Sequence, residues 1–291
     1  MNKNTKRDKL RIVIPNKGRM YEPSVSLLRN VGLEFEIDDR KLTSLVTNFD
    51  IEIMYASVAN IPEFVQDGVA DLGITGYDRV CEGEKTVDVI EKLHFGYTDL
   101  VIAVPEESEI KSIKDLEGLK IATSFVNTTL KFLRENNISA EIIPMDGAVE
   151  VAPQIGLSDA IADLSSSGAS LRMNNLRKIE TIIESEAVLI ANKNLAKQSS
   201  EEVEMLKIRF ESVLTAQKKK YILLNAPEAL LPQIKEIAPG LASPTIMKLS
   251  QDGMIAVHSV INSSETWMVI EKLKKIGATG ILIMPIEKMI A

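Results

Sequence analysis

The chain has 291 residues, 45% of them apolar and 26% charged, with a net charge of −7 and a single cysteine, Cys81. This is too long for one small core, so two or three domains are expected, and one cysteine excludes an intrachain disulfide. No apolar run approaches a membrane span, and no strong basic stripe marks a nucleic-acid surface.

The N-terminus, MNKNTKRDK, is basic, but the apolar stretch that follows is too short for an export signal. Met1 to Lys9 reads as a disordered lead, and a cytoplasmic location is expected. LRIVIP (10–15) predicts a strand, and YEPSVSLLRNVG (21–32) a helix ended by Gly32. IEIMYA (51–56) predicts a strand, Ile61 to Asp67 a short helix, and ADLGITG (70–76) a strand ending in glycine. DLVIAVP (99–105) is an apolar strand stopped by proline.

A new rhythm follows. SIKDLEGLKIATSF (112–125) reads as a small helix, a turn at Gly118 and a strand. NTTLKFLRENN (127–137) predicts a helix, SAEIIPM (139–145) a strand, VEVAPQIGL (149–157) a short helix and SDAIADL (158–164) a strand. LRKIETIIESEAVLIAN (176–192) is mostly extended. The middle block therefore sits between segments that suit the first sheet, which predicts two α/β lobes with crossing connections and a ligand cleft at strand ends.

VEMLKIRFESVLTAQKKK (203–220) is an amphipathic helix whose lysines, 218 to 220, read as its solvated end. Then come a strand (221–226), a helix (227–238), strands at 244–250 and 254–261, a helix from a Ser–x–x–Glu style start at Ser263 or Ser264, and a strand within 279–289. This is β-α-β-β-α-β, the ferredoxin-like pattern. It carries no obvious catalytic cluster, which favours regulation or assembly. Trp267 there is read as a packing or interface residue.

Four stretches suit a charged ligand. DLSSSGASL (163–171) follows a strand, and its free backbone N–H groups and serine hydroxyls form either a phosphate nest or a surface loop. IPNKGRM (14–20) puts Lys17 and Arg19 around a glycine, either on a polyphosphate or on a solvated turn. ADLGITGYDRV (70–80) brings Gly76, Tyr77 and Asp78 to a strand end, where the glycines suit either close backbone approach to a ligand or a positive-φ turn. ATSFVNTTL (122–130) opens a helix that suits either an anion or ordinary capping. His94 and His258 make no metal motif, Cys81 has no CxxC partner, and no Ser–His–Asp triad assembles.

At EVAPQIGLSDAIADLSSSGASL (150–171) the sequence resembles the long-form ATP phosphoribosyltransferase family. Glu150, Gly156, Ser158, Ile161, Asp163, Leu164, Ser167, Gly168 and Leu171 match the family signature, and Ser170 stands where threonine is usual. The likeness extends through NKGR (16–19), DGVADLGITG (67–76), KIATSF (120–125), VINSSET (260–266) and ILIMPIEKM.

The resemblance implies transfer of phosphoribosyl from phosphoribosyl pyrophosphate to adenine N1 of ATP, with magnesium, in the first step of histidine biosynthesis. It implies a catalytic region like a periplasmic binding protein: lobe I from 1–100 and 185–215, lobe II from 101–184, and a ferredoxin-like regulatory domain at 216–291. It implies that Asp163, Leu164, Ser165, Ser166, Ser167, Gly168, Ala169, Ser170 and Leu171 hold ribose 5-phosphate, with Asp163 at the ribose hydroxyls and indirectly at magnesium. Lys17 and Arg19 are expected at polyphosphate groups. Gly76, Tyr77 and Asp78 are expected near nucleotide or pyrophosphate, and Thr123 and Ser124 lining the cleft. Free histidine is the expected inhibitor, near Asn225, Thr245, Ser263 and Ser264, and the expected assembly is a hexamer built from dimers. Some relatives carry an acid at position 225; Asn225 hydrogen-bonds but cannot pair with a charged amine. The rival reading is a non-catalytic bilobal protein that binds a small solute.

Overall fold

The computed structural model describes residues 9–38, 41–84, 86–193 and 201–290, without the side chains of Glu201 and Glu202. The N-terminal lead lies outside the described residues except for Lys9, whose ammonium is 3.4 Å from Asp50. Contacts divide the chain into two compact units, Met1–Arg29 with Leu33–Ser199, and Asn30–Gly32 with Ser200–Ala291. No helix among the described residues is long and apolar enough to cross a membrane.

The first unit holds two sheets. In chain order it begins with β1 (Leu10–Pro15), α1 (Tyr21–Asn30), β2 (Thr43–Leu45), β3 (Ile51–Ala56), α2 (Ile61–Gln66), β4 (Leu72–Gly76), α3 (Tyr77–Gly83) and β5 (Val87–Lys92). It continues with β6 (Thr98–Pro105), β7 (Lys120–Thr123), α4 (Val126–Glu135), β8 (Glu141–Pro144), β9 (Ala160–Ser165), α5 (Ala169–Met173), β10 (Leu176–Ser185) and β11 (Ala187–Asn192). One sheet runs β2-β3-β1-β4-β11-β5 and the other β10-β6-β9-β7-β8. The chain thus leaves the first sheet after β5 and returns at β11, as two lobes with crossing connections require.

The strands fold as their apolar runs dictate. In β6, Val101 and Ala103 join one apolar cluster while Ile102 and Val104 join another. A strand covered on both faces needs a continuous apolar run rather than alternation, and DLVIAVP is such a run. Ile102 is fully buried, and truncating it to alanine would cost about 2–5 kcal/mol. In the first sheet, Val13, Val188 and Ile190 pack with Ile61 and Val65 of α2.

One expectation here is corrected. Residues 149–157 form a 3-10 turn at Val149–Val151 and then turns, not a helix. Pro153 has no N–H to donate, and Gly156 is left-handed with φ +73°, so no helix propagates. The sequence reading also passed over β2, α3 and β5.

The second unit contains α6 (Glu201–Gln217), β12 (Lys219–Pro227), α7 (Leu231–Ile237), β13 (Thr245–Lys248), β14 (Met254–Asn262), α8 (Thr266–Ile276) and β15 (Thr279–Pro285). Helix α6 is grouped here, not with the first unit. It buries Val203, Leu206, Phe210, Val213 and Leu214, at helical spacing. The sheet order β13-β14-β12-β15 completes the βαββαβ arrangement. Alternate residues Ile222, Leu224 and Ala226 enter the core against Ile234, Val269 and Leu273. Lys219 and Lys220 open β12 rather than finish a helix, and Lys219 donates to Asn262 at 2.8 Å. The start of α8 uses no serine cap: Asn262 donates to Glu265 at 2.7 Å, three residues on, while the Ser263 hydroxyl donates to Gln217 O. Trp267 is 76% exposed.

Candidate active site

Four turns at strand ends converge in the first unit. β1 runs parallel to β4 in one sheet, and β7 runs parallel to β9 in the other. The carboxyl ends of these strands carry Asn16–Arg19, Gly76–Asp78, Ser124–Phe125 and Ser165–Gly168 respectively. In open α/β sheets this is where ligands bind.

The turn after β1 is closed by Tyr21 N–H donating to Gly18 O at 3.1 Å, with Gly18 at φ +81°. Lys17 and Arg19 are left exposed. Arg19 Nη1 donates to the Ser166 hydroxyl of the other lobe at 2.8 Å. The basic turn and the serine loop therefore meet.

In the serine loop, Gly168 takes φ +70° and precedes α5. Arg172 donates from Nη1 to Ser167 O and from its backbone to Gly168 O, both at 3.1 Å. Asn174 Nδ2 donates to Ser170 O at 3.0 Å, and Leu171 anchors the segment in the core. Ser166, Ser167, Ala169 and Ser170 remain exposed, with Ser165 half-buried. The loop is thus fixed from behind and open in front.

Asp163 is half-buried on β9 just before it. Burial pushes its carboxyl above the usual Asp range and the charge of Glu150 adds to this, while the Leu164 N–H and Arg79 act in the opposite direction. A carboxylate kept partly dry beside an arginine is suited to accept from hydroxyls.

The remaining expected residues divide. Tyr77 is partly exposed at the start of α3, and Gly76 is required because an added Cβ would run into the Asp78 carboxylate. Asp78 itself is only 4% exposed. It accepts from the Ser185 hydroxyl at 2.5 Å, its backbone N–H donates back to that oxygen at 2.9 Å, and Arg79 Nε lies 3.5 Å away. It holds the turn rather than facing outward. Thr123 is fully buried, donating to Ala162 O at 2.7 Å and accepting from Phe125 N–H at 2.9 Å, so it braces β7 against β9. Ser124 is half-buried beside it.

Residues the sequence reading gave no role complete the region. Arg79 lies 4.4 Å from the centre of the Phe125 ring, a cation–π contact between lobes. Glu82 receives the N–H groups of Asn127 and Thr128, each at 3.0 Å. The first turn of α4, which suited an anion, is therefore capped by a carboxylate of the chain itself. No local signal on YDRVCEG marked Glu82, whose partners lie 45 and 46 positions away.

Of the expected effector residues, Asn225 and Thr245 lie on β12 and β13, on either side of β14, while Ser263 lies beyond the far end of β12. Asn225 pairs across β12 with Ala256 and Thr279, and Thr245 of β13 pairs with His258. Ser263 N–H bonds to Lys218 O, seven residues along β12 from Asn225 or roughly 23 Å. His258 Nδ1 is 2.6 Å from the Tyr221 hydroxyl.

Residues 57–212 match the family model "HisG: ATP phosphoribosyltransferase", and residues 216–288 match "HisG, C-terminal domain". The ATP phosphoribosyltransferase of Methanosarcina barkeri is 42% identical over 287 residues, covering 96% of this chain and 99% of that protein. That of Bacteroides fragilis is 41% identical over 281 residues, with 97% and 99% covered. The Thermotoga maritima ATP phosphoribosyl transferase (HisG:HisZ) complex contains a chain with TM-score 0.61 and 28% identity, covering 69% of this chain and 96% of that one. A periplasmic sulfonate-binding protein from Methylobacillus flagellatus shares the bilobal fold at TM-score 0.50 and 20% identity, covering 70% of this chain and 67% of that one. With a family model matched over residues 57–212 and near-full-length likeness to curated enzymes, this chain belongs to the ATP phosphoribosyltransferase family.

Proposed function

We propose that the chain transfers the phosphoribosyl group of phosphoribosyl pyrophosphate to adenine N1 of ATP, releasing pyrophosphate. The contact between Arg19 and Ser166 carries this reading, because it brings a basic turn and a hydroxyl-rich loop into one place. The loop from Asp163 to Leu171 takes the 5-phosphate, with Asp163 accepting from the ribose hydroxyls. Lys17 and Arg19 take polyphosphate oxygens. Gly76 and Tyr77 line the nucleotide side with Ser124, while Asp78 and Thr123 support from behind.

The N1 lone pair forms the new C–N bond at the anomeric carbon as the C–O bond to pyrophosphate breaks, and pyrophosphate departs with that electron pair. Little acid–base machinery is needed. The chain's contribution is to align two anionic substrates and to offset charge on the leaving group. Among the described residues no group of three or more His, Cys, Asp or Glu side chains forms a metal cage. That donor set suits magnesium carried on substrate phosphates, which needs only one or two protein carboxylates, here Asp163 with Glu150 nearby. Magnesium bound in this way would neutralise phosphate charge.

The reading extends to a cytoplasmic enzyme at the first step of histidine biosynthesis, inhibited by free histidine through the βαββαβ unit and assembled as a hexamer built from dimers. The test is to mix protein, ATP, phosphoribosyl pyrophosphate, magnesium and pyrophosphatase, and follow the N1 adduct by absorbance with and without histidine. Product suppressed by histidine is expected. Absence of product from folded protein that binds another small solute would favour the bilobal binding protein.

A further inference from the structure

On the reading of this region as the active site, we propose that Glu82 is a positioning residue, a carboxylate clasp that sets the two lobes in register for transfer. Helix α4 begins after Phe125 with no side-chain cap of its own. The first N–H groups of any helix lack partners within it. Here two of them are met from the other lobe. Glu82 Oε1 accepts from Asn127 N–H, and Oε2 accepts from Thr128 N–H, both at 3.0 Å, and from the Thr128 hydroxyl at 2.9 Å. Asn127 Nδ2 returns a bond to Glu82 O at 2.9 Å. A negative group at this end also complements the helix dipole.

Arg79 stands three residues earlier on α3, on the same face, with its guanidinium over Phe125. Two residues of α3 therefore grip residues 125–128, directly after Ser124 and the end of β7. The start of α3 is held in turn by Asp78 and Ser185. Apolar packing does not seal this junction. A cavity of about 330 Å3 lies between α3 and α4, lined by Cys81, Val80, Lys131 and Phe132 among others. With a void beside it, the polar clasp carries the register of the two helices, and through them the placement of Ser124 relative to Tyr77.

The test compares Glu82→Ala and Glu82→Gln with the wild type. Small displacements of positioned substrates are costly, so Glu82→Ala is expected to lower kcat on the order of tenfold or more, with the KM of each substrate changed less than about threefold. Glu82→Gln keeps one acceptor but turns the other oxygen into a donor facing an N–H group, so its kcat is expected to fall between those of the alanine variant and the wild type. The chain has one cysteine, and it lines the cavity, so its reaction rate with Ellman's reagent reads the junction directly. That rate is expected to rise in the alanine variant and to rise less in the glutamine variant. A folded Glu82→Ala protein with wild-type kcat and thiol rate overturns the proposal, as does a lower kcat with the thiol rate unchanged. Should Glu82→Ala fail to fold, Thr128→Val removes one donor alone; a kcat lower by about threefold supports the clasp and an unchanged kcat overturns it. A wild type that turns over neither substrate overturns the functional reading instead, and the thiol comparison still decides the clasp.

Discussion

Arg19 and Ser166 stand 147 positions apart in the chain and share a hydrogen bond of 2.8 Å. The arginine belongs to a turn after the first strand of one sheet, the serine to a loop after a strand of the other. Their contact converts two separately ambiguous turns into one polar surface. Neither turn alone specifies a ligand. Together they offer a guanidinium, an ammonium, several hydroxyls and a left-handed glycine turn to a phosphate-rich substrate.

Arg19→Ala is expected to raise the KM for phosphoribosyl pyrophosphate by about tenfold or more, the worth of a charge-assisted hydrogen bond. Arg19 is exposed, so thermal stability should change by about 0.5 kcal/mol or less. Steady-state kinetics and a melting curve check both. Near-wild-type kinetics with both substrates would remove Arg19 from the site.

Gly168→Val places a branched side chain at φ +70°, where even a Cβ would sit 2.9 Å from Arg172 Nη1. The strain costs about 1–3 kcal/mol, and the loop must deform to relieve it. Calorimetric titration with phosphoribosyl pyrophosphate should show binding lost or weakened at least about tenfold. Unchanged affinity would refute the loop assignment.

Asp163→Asn tests a conflict between fold and function. The folded carboxyl titrates above its unfolded value, so the native state holds the proton more tightly. Its contribution to stability is full below the unfolded pKa and is lost as pH rises through the folded pKa. At neutral pH the ionised group therefore weighs against folding. The asparagine variant should melt higher than wild type at pH 7, the gap closing as pH falls to about 4, while turnover drops. A lower melting temperature at pH 7 would contradict this.

Ser185→Ala removes a hydroxyl that serves the buried Asp78 carboxylate. Leaving a buried acceptor short of a partner costs about 1–3 kcal/mol. Denaturant unfolding should show that loss, together with lower kcat, because Asp78 secures the turn that carries Tyr77. Unchanged stability would mean that Arg79 or solvent satisfies Asp78 alone.

Much of the architecture was legible from local pattern. DLVIAVP, KIATSF and SDAIADL are apolar because their strands are covered on both faces, and the alternation in YILLNA marks a sheet with one core face. Helix α3 was not legible because YDRVCEG has little amphipathic pattern and its support comes from afar. Asp78 relies on Ser185, 107 residues later, and Glu82 on residues 45 and 46 positions away. Local windows do not contain such pairs. The same limit applies to Thr123, which the family resemblance put at the cleft and which turns its hydroxyl inward to Ala162. VEVAPQIGL suggested a helix by apolar spacing, and Pro153 stops it.

The most direct test of the central claim is stoichiometric. With phosphoribosyl pyrophosphate limiting, ATP in excess and magnesium present, pyrophosphate release and N1-adduct formation are counted in the same sample. The account predicts one pyrophosphate per adduct and no release when ATP is omitted. Pyrophosphate released without adduct, or neither product from a folded chain, would contradict it.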